Sequence, residues 1–297
     1  MIVVHTVAEV RELAEMARRR GLRVGLVPTM GYLHEGHRSL MRTARADTDV
    51  VVVTIFVNPL QFGPNEDLDR YPRDLDGDLA SCEAEGIDVV FAPDVAEMFP
   101  HPLRTSVHVS GLTEALCGVA RPTHFDGVTT VVTKLFSIVG ACRAYFGRKD
   151  AQQLAVVTRL VRDLDLPVEV VGCPLVREPD GLALSSRNAY LAPQERRAAL
   201  VLSRALRDGA DLVVAGERDP ARVVERVAAL LATEPLVEPE YVELRHAIDL
   251  EPVESVHGPL LLAVAAGVGA TRLIDNVHLV VDDDAVDVDL GVVATAS

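Results

Sequence analysis

Through the first half of the chain, short β-branched apolar runs alternate with stretches whose apolar residues recur every three or four positions. Leu22 to Met30 reads as a strand, Ser39 to Ala46 as a helix and Val50 to Val57 as a second strand. The alternation continues to about residue 174. It predicts a parallel, doubly wound sheet that binds ligands at its carboxyl edge. Farther on, helices are expected near Gln194–Asp208 and Pro220–Ala232, and strands near Tyr241–Arg245, Leu260–Ala265 and Arg272–Val280. These form a second, smaller α/β domain. Residues 1–174 and 175–297 are therefore expected as separate domains, the latter able to close as a lid. No internal repeat interrupts the pattern.

Between the first strand and its helix lies Val27-Pro-Thr-Met-Gly-Tyr-Leu-His-Glu-Gly-His37. His34 and His37, three apart at a helix start, share one face. Gly36 leaves room for a ligand between them. A helix amino terminus presents N–H groups and a positive dipole end, so an anion is the expected ligand. Nine histidines and 20 glycines in 297 residues give about 0.02 chance occurrences of His-x-Gly-His. Two ordinary surface histidines remain the bland alternative. Zinc fits less well, because helical metal pairs sit four apart and no third ligand stands nearby in sequence.

Composition narrows the function classes. With 49% hydrophobic residues the chain can bury a substantial core. A net charge of −15 argues against nucleic-acid or anionic-membrane binding, so cations for an anionic ligand must be local. The amino-terminal residues lack the basic and apolar regions of a signal peptide, and Leu260 to Ala270 is too short to span a bilayer. Cys82, Cys117, Cys142 and Cys173 are irregularly spaced, as expected of reduced, mostly buried thiols in a cytoplasm.

Of the 29 basic residues only Lys134 and Lys149 are lysines. An ammonium is a compact point charge that fits among phosphate oxygens, whereas guanidinium is a planar fork. Lys149 follows a predicted strand end and glycine turn in Tyr145-Phe-Gly-Arg-Lys-Asp-Ala-Gln-Gln153 and precedes a helix over Ala151 to Arg162. Lys134 lies within a helical segment, where structure and function weigh about evenly. A third segment, Val176 to Tyr190, joins a Pro179-Asp-Gly181 turn to Ser185, Ser186 and Arg187, whose hydroxyls and guanidinium make an oxyanion grip.

Together these segments resemble the pantoate–β-alanine ligase (pantothenate synthetase) family of the HxGH nucleotidyl-transfer group, from about residue 2 to residue 280. The resemblance rests on Pro28 to His37, Ile55-Phe-Val-Asn-Pro-Leu-Gln-Phe62, His124-Phe-Asp-Gly-Val128, Phe146 to Gln153, Leu184-Ser-Ser-Arg-Asn188 and Thr271-Arg-Leu-Ile-Asp-Asn276. It implies a Rossmann-like domain binding ATP and pantoate over 1–174, and an AMP-forming ligase acting through a pantoyl adenylate. It implies ATP contacts at Met30, Gly31, Tyr32, Leu33, His34, Glu35, Gly36 and His37. Further ATP contacts are implied at Gly147, Arg148, Lys149, Asp150, Val176, Leu184, Ser185, Ser186 and Arg187. His37 is implied as general acid, with His34 and Lys149 as its catalytic companions. Gln61 and Gln153 are implied as ligands of pantoate, Gln61 of β-alanine too. Mg²⁺ would accompany ATP, with no protein metal site, in a cytoplasmic homodimer without nucleic-acid or membrane partners. Arg148 and Ala151 depart from the family's usual Glu and Tyr, and Leu184 from a frequent Met.

Two other functions share the histidine motif. A phosphoester nucleotidyltransferase would keep the nucleotide in its product, but the neutral Gln61 and Gln153 suit an acid better than a phosphate acceptor. A regulatory nucleotide binder would lack turnover. Three features carry no function on this reading. Asp74 to Glu85 imitates a calcium loop but has Leu79 where that loop needs glycine, and reads as a helix start. Gly267-Val-Gly269 lacks a dinucleotide fingerprint's third glycine. Asp282 through Ser297 reads as a solvated acidic tail.

Overall fold

A computed structural model describes residues 1–64 and 66–294. The chain divides into two compact units, Met1–Gly147 with Val156–Cys173, and Arg148–Ala155 with the chain from Pro174 onward. The first unit carries a parallel sheet of β1 (Ile2–Val4), β2 (Val24–Thr29), β3 (Val50–Ile55), β4 (Val89–Phe91), β5 (Cys142–Gly147) and β6 (Val168–Cys173). Their spatial order is β1-β4-β3-β2-β5-β6, with every neighbouring pair parallel. This is the expected Rossmann-like sheet. From β2 the chain winds outward through β3, then returns to β5 on the other flank. The switch point between β2 and β5 is where such sheets bind ligands.

The helices α1 (Val7–Arg19), α2 (Glu35–Asp47), α3 (Leu75–Ala84), α4 (Val95–Met98), α5 (Cys117–Ala120), α6 (His124–Val139) and α7 (Ala151–Asp163) connect the strands. Val27, Val51, Val53 and Val90 pack with Leu40 and Met41 of α2 beneath the site. Asp74 caps α3, its Oδ1 accepting the Gly77 N–H at 3.1 Å, which supports the helix-start reading over a calcium loop. Lys134 stands over the Phe99 ring at 5.6 Å, a structural cation–π contact. All four cysteines are buried, and burial pushes the Cys82 and Cys142 thiols up to about 12.

In the second unit, β8 (Val237–His246), β9 (Gly258–Val268), β10 (Thr271–Val281) and β11 (Val286–Asp289) form an antiparallel sheet ordered β11-β10-β9-β8. Beside it, β7 (Val176–Arg177) pairs with β12 (Val292–Val293). Leu202 and Leu206 of α8 (Pro193–Val214), with Val223 and Val227 of α9 (Pro220–Leu231), share a core with Leu260, Leu262 and Val264 of β9. Gly267-Val-Gly269 leads into the β9–β10 hairpin, with Gly269 at φ 57. Pro239 sits at the bulge of β8, an edge strand, where a missing N–H disturbs no inner ladder.

Two expectations are corrected here. The acidic end is not a solvated tail. Val286 to Asp289 is a strand on β10, and Val286, Val288 and Leu290 pack against the core. Strict alternation turns the apolar residues inward and Asp287 away from them, a strand pattern hidden by the charge count. Residues 295–297 of that segment lie outside the described residues. Residues 148–155, expected within the first domain, group with the second unit because hydrogen bonds and an ion pair tie them to β10 and β11.

Candidate active site

Thr29 ends β2, and its Oγ1 donates to the Thr54 carbonyl at 2.7 Å while accepting the Gly31 N–H at 3.2 Å. Gly31 and Tyr32 then take φ values of 80° and 52°. For tyrosine the left-handed region costs energy, so something must hold it there. That group is Asp78, only 3% exposed, whose two carboxylate oxygens accept the Tyr32 N–H at 2.9 Å and the Leu33 N–H at 2.7 Å. Burial pushes the Asp78 carboxyl above its usual range, and the two backbone bonds partly oppose that rise. A Cβ on Gly31 would meet the same carboxylate at 2.8 Å.

The turn delivers His34 as the N-cap of α2. Its Nδ1 accepts the Gly36 N–H at 3.1 Å, and His37 Nδ1 accepts the His34 N–H at 3.3 Å. Backbone N–H groups only donate, so both imidazoles must accept at Nδ1 and carry their proton on Nε2. The rings lie 4.1 Å apart at 39°. The cap therefore fixes the tautomer of both histidines at the carboxyl edge of β2. Glu35 on the same turn pairs with Arg42 and, at 3.8 Å, with Arg38.

Gln61 closes a 3₁₀ turn over Pro59–Gln61 capped by Asn58. Asn58 Nδ2 donates to Gln61 Oε1 and to the Gly127 carbonyl, each at 3.1 Å, and Gln61 Nε2 lies 3.0 Å from Met30 Sδ. These contacts orient the amide and bring Gln61 to Met30. A Cβ on Gly127 would meet the Leu60 carbonyl oxygen at 2.2 Å, so glycine lets α6 approach this turn. His124 Nδ1 lies 2.8 Å from the Gln61 carbonyl, and Arg121 also donates to it.

Gly147 ends β5, and a 3₁₀ turn, Arg148–Asp150, leads into α7. The Lys149 side chain is 19% exposed, its Nζ 4.0 Å from Asp150 Oδ1. Gln153 is half-buried in the first turn of α7. Val176 and Leu184 meet through the Leu184 N–H, which donates to the Val176 carbonyl at 2.9 Å. Ser185 caps the 3₁₀ turn Ser186–Tyr190, its Oγ accepting the Arg187 N–H at 3.2 Å, and Ser186 is buried. Asn188 Nδ2 donates to the Ala183 carbonyl at 3.0 Å, closing this loop on itself.

Asn58, Asp78, Asn276 and the Arg177–Asp275 pair support these residues, and sequence reading gave them no role. Asn58 had a local signal, an Asn-Pro start to a turn. Asp78 acts across 46 positions and had none. Among the described residues no three His, Cys, Asp or Glu side chains cluster as a metal site, and no helix is long and apolar enough to cross a membrane.

A parallel doubly wound sheet with a histidine-capped helix start at its switch point defines the HxGH class of nucleotide-binding proteins. Within that class, residues 2–278 match the pantoate-beta-alanine ligase family model. The chain is 56% identical over 283 residues to pantothenate synthetase of Moorella thermoacetica, covering 95% of this chain and all of that one. It is 52% identical over 277 residues to that of Acetivibrio thermocellus, covering 93% and 99%. The crystal structure of pantothenate synthetase from Thermus thermophilus matches with a TM-score of 0.88 at 48% identity, over 93% of this chain and 98% of that chain. The pantoate-beta-alanine ligase of Francisella tularensis, complexed with Beta-gamma ATP and beta-alanine, matches with a TM-score of 0.76 at 30% identity, over 93% and 97%. The chain belongs to the pantoate–β-alanine ligase family and is a ligase.

Proposed function

We propose that this protein condenses pantoate with β-alanine to form pantothenate, using ATP and passing through a pantoyl adenylate. A carboxylate in water is a poor acylating agent, so it must first gain a leaving group. A pantoate carboxylate oxygen attacks the α-phosphorus of ATP, and pyrophosphate leaves. The β-alanine amine then attacks the acyl carbon, AMP leaves with the bonding pair, and the amine loses a proton.

The observation that carries this reading is the doubly capped histidine pair at the start of α2, which fixes both rings with Nε2 as the N–H atom. Negative charge grows on phosphate oxygens in the first step, and preoriented donors stabilise it without reorganisation. His37, expected as the general acid, fits that role as a hydrogen-bond donor through Nε2–H, with His34 beside it. Met30 to His37, Gly147 to Asp150, Val176 and Leu184 to Arg187 make the proposed ATP contacts. Lys149, Ser185, Ser186 and Arg187 supply point charge, hydroxyls and a guanidinium to the phosphates. Gln61, its amide oriented by Asn58 and Met30, and Gln153 would bind pantoate, Gln61 touching β-alanine as well. Mg²⁺ enters as part of the ATP substrate, and the N–H-rich helix start suits phosphate oxygens rather than a bare cation.

Membership of the family supports Mg²⁺, a homodimer and a cytoplasmic location; sedimentation at working concentration tests the dimer. AMP release, measured with each substrate omitted in turn, tests the reaction. Full-rate AMP formation is expected only with ATP, pantoate and β-alanine together. Release independent of pantoate, or a product that keeps the nucleotide, would contradict the proposal.

A further inference from the structure

The turn that carries Lys149 is held by a residue far along the chain. Asn276 on β10 is 4% exposed, and its Nδ2 donates to the carbonyl oxygens of Arg148 at 3.1 Å and Lys149 at 2.8 Å. An amide nitrogen has two protons, and both are spent on consecutive carbonyls of one turn. Asparagine suits this task for a simple reason. Aspartate has no proton to give, glutamine is one methylene too long, and alanine leaves both carbonyls without these donors.

Asn276 is itself fixed. Its N–H donates to Asp275 Oδ1 at 2.7 Å, and its carbonyl accepts from Arg177 Nη2 at 3.2 Å. Arg177 binds the Asp275 carboxylate with both terminal nitrogens, at 2.7 and 3.0 Å, with both side chains about 95% buried. The same guanidinium donates to the Gly181 carbonyl at 3.1 Å, in the hairpin leading to Ser185 and Ser186, and through Nε to the Leu290 carbonyl at 2.6 Å. One step of β10 thus anchors two separate segments: the Lys149 turn through Asn276, and the loop before Ser185 through Asp275 and Arg177. Beside the first anchor, Arg148 pairs with Asp289 at 2.7 Å.

We infer that Asn276 is a positioning residue for the ligase reaction, aiming Lys149 by holding the carbonyls of its turn. The inference rests on the proposed role of Lys149 toward the phosphates. A backbone shift of an ångström at such a site is worth about 10²-fold in rate.

The test is a double-mutant cycle in the full-length protein, joining Asn276→Ala and Lys149→Ala, with kcat and KM measured for each substrate. Asn276→Ala is expected to lower kcat/KM for ATP by about 10- to 100-fold while the pantoate KM stays within about twofold. In the Lys149→Ala background it should cost less than about threefold more, because the group it aims is already gone. If Asn276→Ala does not fold, Asn276→Leu nearly keeps the volume, adds no buried charge and removes both donated protons, and the same loss is expected. Losses that multiply, or an Asn276→Ala enzyme within about threefold of the parent while Lys149→Ala is crippled, would overturn the inference alone. Near-normal turnover by Lys149→Ala would overturn the reading of Lys149 and the inference with it.

Discussion

The two phosphate-binding regions proposed here are built on opposite principles. The histidine site is organised locally: His34 caps its own helix, and His37 closes the box three residues later. The Ser185–Arg187 loop has a local cap too, but its placement and that of the Lys149 turn depend on Asp275 and Asn276, roughly 90 to 130 positions away. A local cap forms whenever the helix forms. A long-range anchor exists only once the second unit has folded, so its loss should affect folding as well as chemistry. The variants below test that contrast.

The largest effect is expected at the shared anchor. Arg177→Met leaves the Asp275 carboxylate buried without its partner and removes the donor to three carbonyls. A broken buried pair of this kind costs about 3–5 kcal/mol, and Arg177→Met with Asp275→Leu should recover much of it. Denaturant unfolding of the two variants measures both numbers. A single variant as stable as the parent would show that the pair does not hold this unit together.

His37→Ala should leave stability nearly unchanged, since the cap it completes is local, and slow adenylation by about 10²–10³, the usual loss for one transition-state donor. Single-turnover AMP formation alongside thermal melting separates the two. Normal chemistry would return His37 to the class of surface histidines.

These two cases also show how much was legible in the sequence. The histidine motif was readable because both ends of its hydrogen bonds fall within four residues. The parallel sheet was readable because buried strands leave apolar runs. Asp78 lies in a segment that reads as a helix start, and nothing local says that its carboxylate holds the Tyr32 turn. Asn276 sat in a motif with family resemblance but no role, because a side chain donating to backbone leaves no complementary residue to find. The error over residues 286–289 had another cause. Val286-Asp-Val-Asp289 has a strand's period, and the weight given to its charges masked it.

Gln61→Ala sharpens the local side of the comparison. It should weaken pantoate dependence by about 1–3 kcal/mol per lost hydrogen bond while ATP affinity stays put. Separate titrations with ATP and pantoate measure this. A loss confined to ATP would move Gln61 into the nucleotide site.

The smallest effect concerns pH and the long-range side. Burial, reinforced by Arg148 and partly offset by Asp289, lowers the His278 pKa below its ordinary 6.5. The unfolded chain therefore takes up this proton at a higher pH than the folded one. The stability involved is fully present above about pH 6.5 and is lost as pH falls through the folded pKa. Replacing His278 with Gln should flatten the stability profile between neutral and mildly acidic pH. An unchanged slope in urea midpoints would assign the acid sensitivity to other groups.

The central claim is that the capped histidine helix and its partners catalyse adenylation of an acid before any amine is joined. Exchange of labelled pyrophosphate into ATP tests that step alone. The exchange should require pantoate, proceed without β-alanine and collapse in His37→Ala. Exchange that appears only when β-alanine is present, or that needs no pantoate, would contradict the account.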